Sequence, residues 1–156
     1  MREGGCCCGA VRYALSAEPL IVHACHCRDC QRGTGSAFVV NLWIEASCVQ
    51  SRGERPRTYL ARGGSGTDHE VSFCGRCGTT VWSDYRVVPG KCLFVRAGTL
   101  DDPSGVVPDV HIFTRSKLAW LELPAGARAF ESRYEREKVW SAESLRRLRA
   151  NAGLGP

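Results

Sequence analysis

The sequence predicts a mainly β fold on three observations. Its apolar residues fall in short runs of strand length, and glycine or proline marks the gaps between them. One stretch near the end, residues 141–150, carries the cap and spacing of a helix. The cysteines gather in compact motifs, each next to a strand-like run: Cys6-Cys7-Cys8, Cys25-His26-Cys27-Arg28-Asp29-Cys30 and Cys74-Gly75-Arg76-Cys77.

Composition narrows the class. A chain of 156 residues, 44% hydrophobic and 24% charged, fits one domain with a real core, and neither a disordered nor a membrane protein. No apolar run approaches the ~20 residues of a membrane span. Ten cysteines raise the alternative of a secreted disulfide framework. The opening residues lack an apolar signal core and run straight into the first motif, so a cytoplasmic location is expected. In a reducing compartment, clustered cysteines read as metal or redox sites. The net charge of +5 is loaded toward the end, with Arg146, Arg147 and Arg149 close together. A solvated helix face accounts for them better than nucleic-acid binding.

Taken in order, Val11, Tyr13 and Leu15 alternate with Arg12 and Ala14 as in a half-buried strand. At its mouth Cys6 and Cys8, two apart, aim their sulfurs the same way and Cys7 points off. Gly9 permits the turn. Residues 20–24 form a short buried strand that delivers the triplet Cys25, Cys27 and Cys30. Residues 31–35 are expected to be a glycine-bearing loop, and residues 36–44 a long, mostly buried strand. Cys48 and Cys92 stand alone and are expected to be small core residues. Residues 53–56 form a turn and 57–61 a strand. Residues 62–67 lack the Lys-Ser/Thr and following helix of a phosphate cradle, so they read as a hairpin connection. The run 70–73 leads into Cys74-x-x-Cys77-Gly78, which is a metal knuckle where a strand follows and a thioredoxin-like pair where a helix opens. Thr79-Thr80-Val81-Trp82 favours the strand. Residues 93–98 and 111–113 are further strands. Ser141 caps the terminal helix, with Glu143 in its first turn and Leu145 and Leu148 as its apolar stripe. Residues 151–156 are expected to fray.

Seven cysteines belong to motifs, and seven divides as four plus three. The two two-ligand elements, Cys6/Cys8 and Cys74/Cys77, make one closed four-cysteine site. Zinc is the first choice of metal, since it accepts thiolates in a tetrahedron at about 2.3 Å. Cys25, Cys27 and Cys30 then form a second zinc site with a position left for an incoming ligand, so two zincs per chain are expected. The alternative completes that site with His23, His26, Cys7 or His111. In an extended backbone His26 alternates away from its neighbours, and His26 and His111 suit a supporting or substrate-facing role better than ligation.

These residues resemble the glutathione-dependent formaldehyde-activating family, which includes centromere protein V. The resemblance rests on Gly5-Cys6-x-Cys8-Gly9-Ala10-Val11-x-Tyr13, Cys25-His26-Cys27-x-x-Cys30-x-x-Gly33 and Phe73-Cys74-x-x-Cys77-Gly78. It continues through Gly98-Thr99-Leu100-Asp101-Asp102 and His111-Ile112-Phe113-x-x-Ser116-Lys117-x-x-Trp120, spanning residues 4–123. It implies a β-tent fold of antiparallel sheets pinned by a four-cysteine zinc, with the domain at residues 1–124 and a basic helical extension at 125–156. It implies a structural zinc on Cys6, Cys8, Cys74 and Cys77 and a second zinc on Cys25, Cys27 and Cys30. The activity it implies is that of a carbon–sulfur lyase, written in reverse as addition of glutathione to formaldehyde to give S-(hydroxymethyl)glutathione. The expected partners are a small-molecule thiol, glutathione or similar, and an aldehyde, without membrane or nucleic acid.

The chemistry suits three thiolates. They leave a Zn(II) centre at formal charge −1, a poor Lewis acid, so thiol activation is favoured over carbonyl polarisation. Arg28, Arg32 and Arg76 are candidates to offset that charge or to bind substrate carboxylates. Two other functions compete. A non-catalytic β-tent module would use the basic tail to bind a partner or nucleic acid. Methionine-sulfoxide chemistry would need a nucleophile from Cys7, Cys48 or Cys92, none of which sits in a catalytic context.

Overall fold

Each alternating run finds its partner in one of two sheets. The computed structural model describes residues 1–63, 67–86 and 91–153. The strands are β1 (Arg2–Gly5), β2 (Val11–Leu15), β3 (Ile21–Cys25), β4 (Val39–Glu45), β5 (Val49–Gly53), β6 (Arg57–Ala61), β7 (His69–Phe73), β8 (Thr80–Asp84), β9 (Cys92–Arg96) and β10 (Val110–Ile112). The helices are α1 (Arg28–Thr34), α2 (Arg136–Val139) and α3 (Ala142–Asn151). Three strands form a small sheet in the order β1-β2-β5, and seven form a large one in the order β10-β3-β4-β9-β8-β7-β6. The fold is mainly β, as the sequence predicts. One pairing departs from the antiparallel expectation: β10 lies parallel to β3, with His111 opposite Ala24.

The large sheet separates two cores, and the alternation of its central strands explains why. Side chains of a strand point to opposite faces in turn. Leu42 and Ile44 of β4 join Val22 of β3 and Val95 of β9 in a first core, under the small sheet's Val11, Tyr13 and Leu15. Trp43 of β4, Ile21 and Cys25 of β3 and Phe94 of β9 face the other way, into a second core closed by Trp140 and Leu148. Cys6 and Cys74 lie with the first core, Cys25 and Cys30 with the second. The two cysteine sets are therefore kept apart by the sheet.

Several boundaries differ from the sequence expectation. Residues 31–35 are not a loop, because helix α1 runs through Thr34. Cys27 caps it, accepting from the Cys30 amide, and Gly35 ends it at φ 65°. The buried Gln31 amide donates to the carbonyls of His26 (2.7 Å) and Ser116 (2.8 Å), contacts that offset the low helix propensity of Gly33. Strand β4 begins at Val39, three residues later than residues 36–44 suggest. Strands β1 and β5 have no apolar alternation to announce them. Backbone pairing to β2 holds both. In β1, Gly4 lies so close to the Tyr13 ring that a Cβ would meet Tyr13 Oη at 2.5 Å.

The terminal helix follows its sequence signals. Ser141 Oγ accepts from the Ser144 amide at 3.0 Å, and Leu148 is buried. Ser144 Oγ donates to the Leu20 carbonyl at 2.7 Å, and Arg147 grips the buried Glu45 carboxylate, 2.7 Å and 2.9 Å to its two oxygens. Residues 125–153 thus pack into the second core. In the expected hairpin connection at 62–67, residues 64–66 fall outside the described residues, as do 154–156 of the expected frayed tail.

Candidate metal centres

The first set forms where two tight turns meet. After β1 the chain reverses, with the Cys6 amide donating to the Val11 carbonyl and the Gly9 amide to the Cys6 carbonyl, both at 3.0 Å. Gly9 sits at φ 76° and Gly78 at φ 75°, in the left-handed region that favours glycine. Cys6 and Cys8 therefore converge within a turn rather than along a strand. The second turn hangs from β7, where the Gly78 amide returns to the Cys74 carbonyl at 2.9 Å. Amides of Val11 and Arg76 donate to the sulfurs of Cys6 (3.3 Å) and Cys74 (3.4 Å). The Sγ atoms of Cys6, Cys8, Cys74 and Cys77 all lie within 4.8 Å of one another.

The donor set fits a tetrahedral thiophilic ion. Sulfurs about 2.3 Å from a common centre stand roughly 3.8 Å apart at tetrahedron corners. Cys6 and Cys8 are 3.5 Å apart, and Cys8 and Cys74 are 3.7 Å apart, far beyond a disulfide bond. All ten cysteines are free thiols. Hydrogen bonding by the Thr79 hydroxyl pulls the Cys77 thiol down to about 5. Cys7 stays outside the set, exposed.

The second set forms at the junction of β3 and α1. Cys25 ends the strand, Cys27 caps the helix, and Cys30 follows one turn on. Their three sulfurs lie within 4.8 Å of one another. Hydrogen bonds from Cys25 and Cys30 hold the Cys27 thiol far down, at about 2, and the same contact raises Cys25. One negative charge is easily formed in this cluster and the next two are opposed. A cation among the sulfurs removes that opposition, so this donor set also suits a metal.

The histidines weighed from sequence are not part of this group. His26 is fully buried, with Nε2 at 3.0 Å from His111 Nδ1 and the two rings stacked. His23 lies on the Cys25 face of β3, and its Nε2 is 2.5 Å from Tyr134 Oη. The indole N–H of Trp140 donates to that same oxygen at 2.8 Å. Indole only donates, so Tyr134 Oη is the acceptor in that bond. Burial, aided by Arg136, lowers the His23 pKa to about 4.

Cys25 and Cys27 open onto a cavity of about 170 Å³. The large sheet contributes Trp43, Phe94 and, just beyond β8, Tyr85, while Ile112 and Phe113 close one side. Tyr134, Arg133 and Arg136 come from the C-terminal segment. Trp43 packs on Phe94 with centroids 4.6 Å apart, and Arg136 stands over the Trp43 ring at 5.0 Å. Sequence reasoning did not nominate these wall residues. The period of β3 places His23 beside Cys25, but no spacing in the sequence brings residues 133–136 to Cys25.

The candidate arginines lie elsewhere. Arg28 bonds the Gln31 side chain, and Arg76 pairs with Glu54 beside the four-cysteine set. Arg32 and Cys30 line a separate, more polar cleft of about 210 Å³ with His69 and Arg96. In the tail, Arg146 pairs with Glu143 and Arg147 with Glu45, which removes most of the basic patch.

A mainly β domain with a complete four-thiol set and a second three-thiol set beside a cavity defines a class of cysteine-rich domain whose two clusters could each hold a metal ion. The chain belongs to the family described as "Glutathione-dependent formaldehyde-activating enzyme", whose model matches residues 1–116. A Halomonas elongata protein named "Putative glutathione-dependent formaldehyde-activating enzyme" is 29% identical over 160 residues, covering 97% of this chain and 96% of that protein. A Schizosaccharomyces pombe protein named an uncharacterized lyase is 29% identical over 83 residues, covering 53% of this chain and 57% of that one. A crystal structure of a Rhodobacter sphaeroides protein aligns with a TM-score of 0.49 at 24% identity, over 68% of this chain and 91% of that one. Among the described residues no helix is long and apolar enough to cross a membrane.

Proposed function

We propose that this chain is a zinc-dependent carbon–sulfur lyase that forms and cleaves adducts of a thiol and an aldehyde, as in the synthesis of S-(hydroxymethyl)glutathione. The observation that carries it is the inequality of the two cysteine sets: four sulfurs close on one centre, while three gather on another, two of them, Cys25 and Cys27, in the wall of a cavity. Cys6, Cys8, Cys74 and Cys77 hold a structural zinc. Cys25, Cys27 and Cys30 hold the catalytic one, within a domain at residues 1–124 whose cavity wall the extension at 125–156 completes.

A metal held by three thiolates supplies a place where an incoming thiol loses its proton at neutral pH. The residues of the chain do the rest. The Cys27 cap and the Gln31 amide fix the turn that carries the three sulfurs. The aromatic wall excludes water that would compete with the thiol. His23 and Tyr134, joined to each other and to Trp140, set neutral polar groups in the wall beside Cys25. In the forward direction a sulfur–carbon bond forms, the carbonyl π pair moves to oxygen, and the thiol proton ends on that oxygen. Cleavage reverses each change, with no oxidant or reductant.

The test is metal analysis joined to a screen of thiol–aldehyde pairs, glutathione with formaldehyde among them. Two zincs per chain and thiol-dependent turnover are expected. A folded Cys27→Ala variant that keeps full activity would rule the proposal out.

A further inference from the structure

We propose that the cavity beside Cys25 and Cys27 is a specificity pocket for an aromatic or branched apolar group on the carbon side of the adduct, so that the preferred aldehyde is larger than formaldehyde. The inference rests on the lyase reading above and deepens it.

Size is the first observation. The cavity measures about 170 Å³. An apolar cavity of roughly 150 Å³ accommodates a benzene ring. The one carbon of formaldehyde leaves such a space almost empty.

The lining is the second. Trp43, Tyr85, Phe94, Ile112 and Phe113 present apolar faces, while Arg133 and Arg136 bring two cations to the lining, Arg136 over the Trp43 ring. The carboxylates of glutathione suit the two arginines at the cavity and offer the rings nothing to desolvate. A phenyl or branched alkyl group does, and apolar burial is the main term in filling such a pocket.

Position is the third. Tyr134 comes from beyond residue 116, where the family match ends. Its hydroxyl is held between His23 and Trp140, so the ring is a fixed wall and not a loose cover. The residues that shape the pocket thus come partly from the C-terminal segment, outside the family match.

The experiment uses the full zinc-loaded chain with 2-mercaptoethanol as the fixed thiol and formaldehyde, isobutyraldehyde or benzaldehyde as the partner. A rise in kcat/KM of ~10-fold or more from formaldehyde to benzaldehyde is expected, the discrimination that a few carbons give in an apolar pocket. Calorimetry with benzyl alcohol, which cannot react, is expected to show binding, and methanol none. Ile112→Trp fills the cavity and Tyr134→Ala opens its wall. Each is expected to lower the benzaldehyde-to-formaldehyde ratio about 5-fold, whereas Tyr134→Phe, which keeps the ring, retains it. Circular dichroism checks that each variant is folded. Turnover without preference for the larger aldehydes, and without benzyl alcohol binding, overturns the pocket and leaves the lyase reading standing. Benzyl alcohol binding that Ile112→Trp abolishes, without turnover of any aldehyde, upholds the pocket and overturns the lyase reading.

Discussion

Cys27 has two jobs at once. Its sulfur belongs to the three-thiol set, and it also caps α1 by accepting the Cys30 amide at 3.4 Å. Replacing it therefore removes a ligand proposed for the second zinc and a cap worth about 1 kcal/mol. Cys27→Ala is expected to fold, to lose activity, and to drop from two zincs to one by elemental analysis. Cys27→Ser can restore the cap but not the soft ligand, so it should recover thermal stability without recovering the metal. Gly4 offers a second residue-level test. An alanine there forces its Cβ against Tyr13 Oη and the Thr99 carbonyl, both at 2.5 Å. Overpacking of this kind costs about 1–3 kcal/mol, readable as a lower urea midpoint.

Helix α3 shows how an element outside the family match is tied to the rest. Its cap, its buried Leu148 and the Arg147–Glu45 pair are three separate fastenings. Glu45 is 6% exposed, so Arg147→Ala leaves a buried carboxylate unpaired. That loss is expected to cost roughly 3 kcal/mol, more than a surface ion pair contributes. Urea melts of Arg147→Ala and of the double variant Arg147→Ala/Glu45→Gln measure it. The double variant should recover much of the loss, because no charge is then stranded. Helix α1 teaches a different lesson. Its glycines read as a loop, and nothing local contradicts that. The Gln31 amide bonds to His26 and Ser116, 85 positions from Gln31 in the second case, decide the matter.

At the scale of the whole molecule, the four-cysteine set joins turns 66 positions apart, Cys8 to Cys74. Metal binding of this kind contributes on the order of 10 kcal/mol to folding in small zinc domains. Cys74→Ser is therefore expected to unfold the chain, seen as loss of the β signal in circular dichroism, where Cys27→Ala does not. Strong chelators should reproduce both effects in sequence, with the three-thiol metal leaving first. The fold also stores a pH dependence. Burial holds His69 and His111 below the ordinary histidine pKa. The unfolded chain then takes up protons first, so stability is full above about pH 7 and falls as pH drops below ~6.5. Urea midpoints at a series of pH values check this, and His69→Phe should flatten the slope.

Local chemistry was enough to reveal most of the strands, the cap of α3 and the grouping of cysteines into motifs. Thiol spacing of two or three residues, glycine beside it and alternation at period two are short-range rules, and the chain obeys them wherever a strand has one dry face. Distance along the chain concealed the rest. That the large sheet puts the two cysteine sets on opposite sides, that β10 runs parallel to β3, and that Tyr134 and Arg136 line one cavity with Cys25 follow from which strand lies beside which. Strand order is set by how two cores fill, a sum over many weak contacts that no local pattern encodes. The two cysteine sets could be found by reading along the chain. The cavity beside them exists only because the chain folds back.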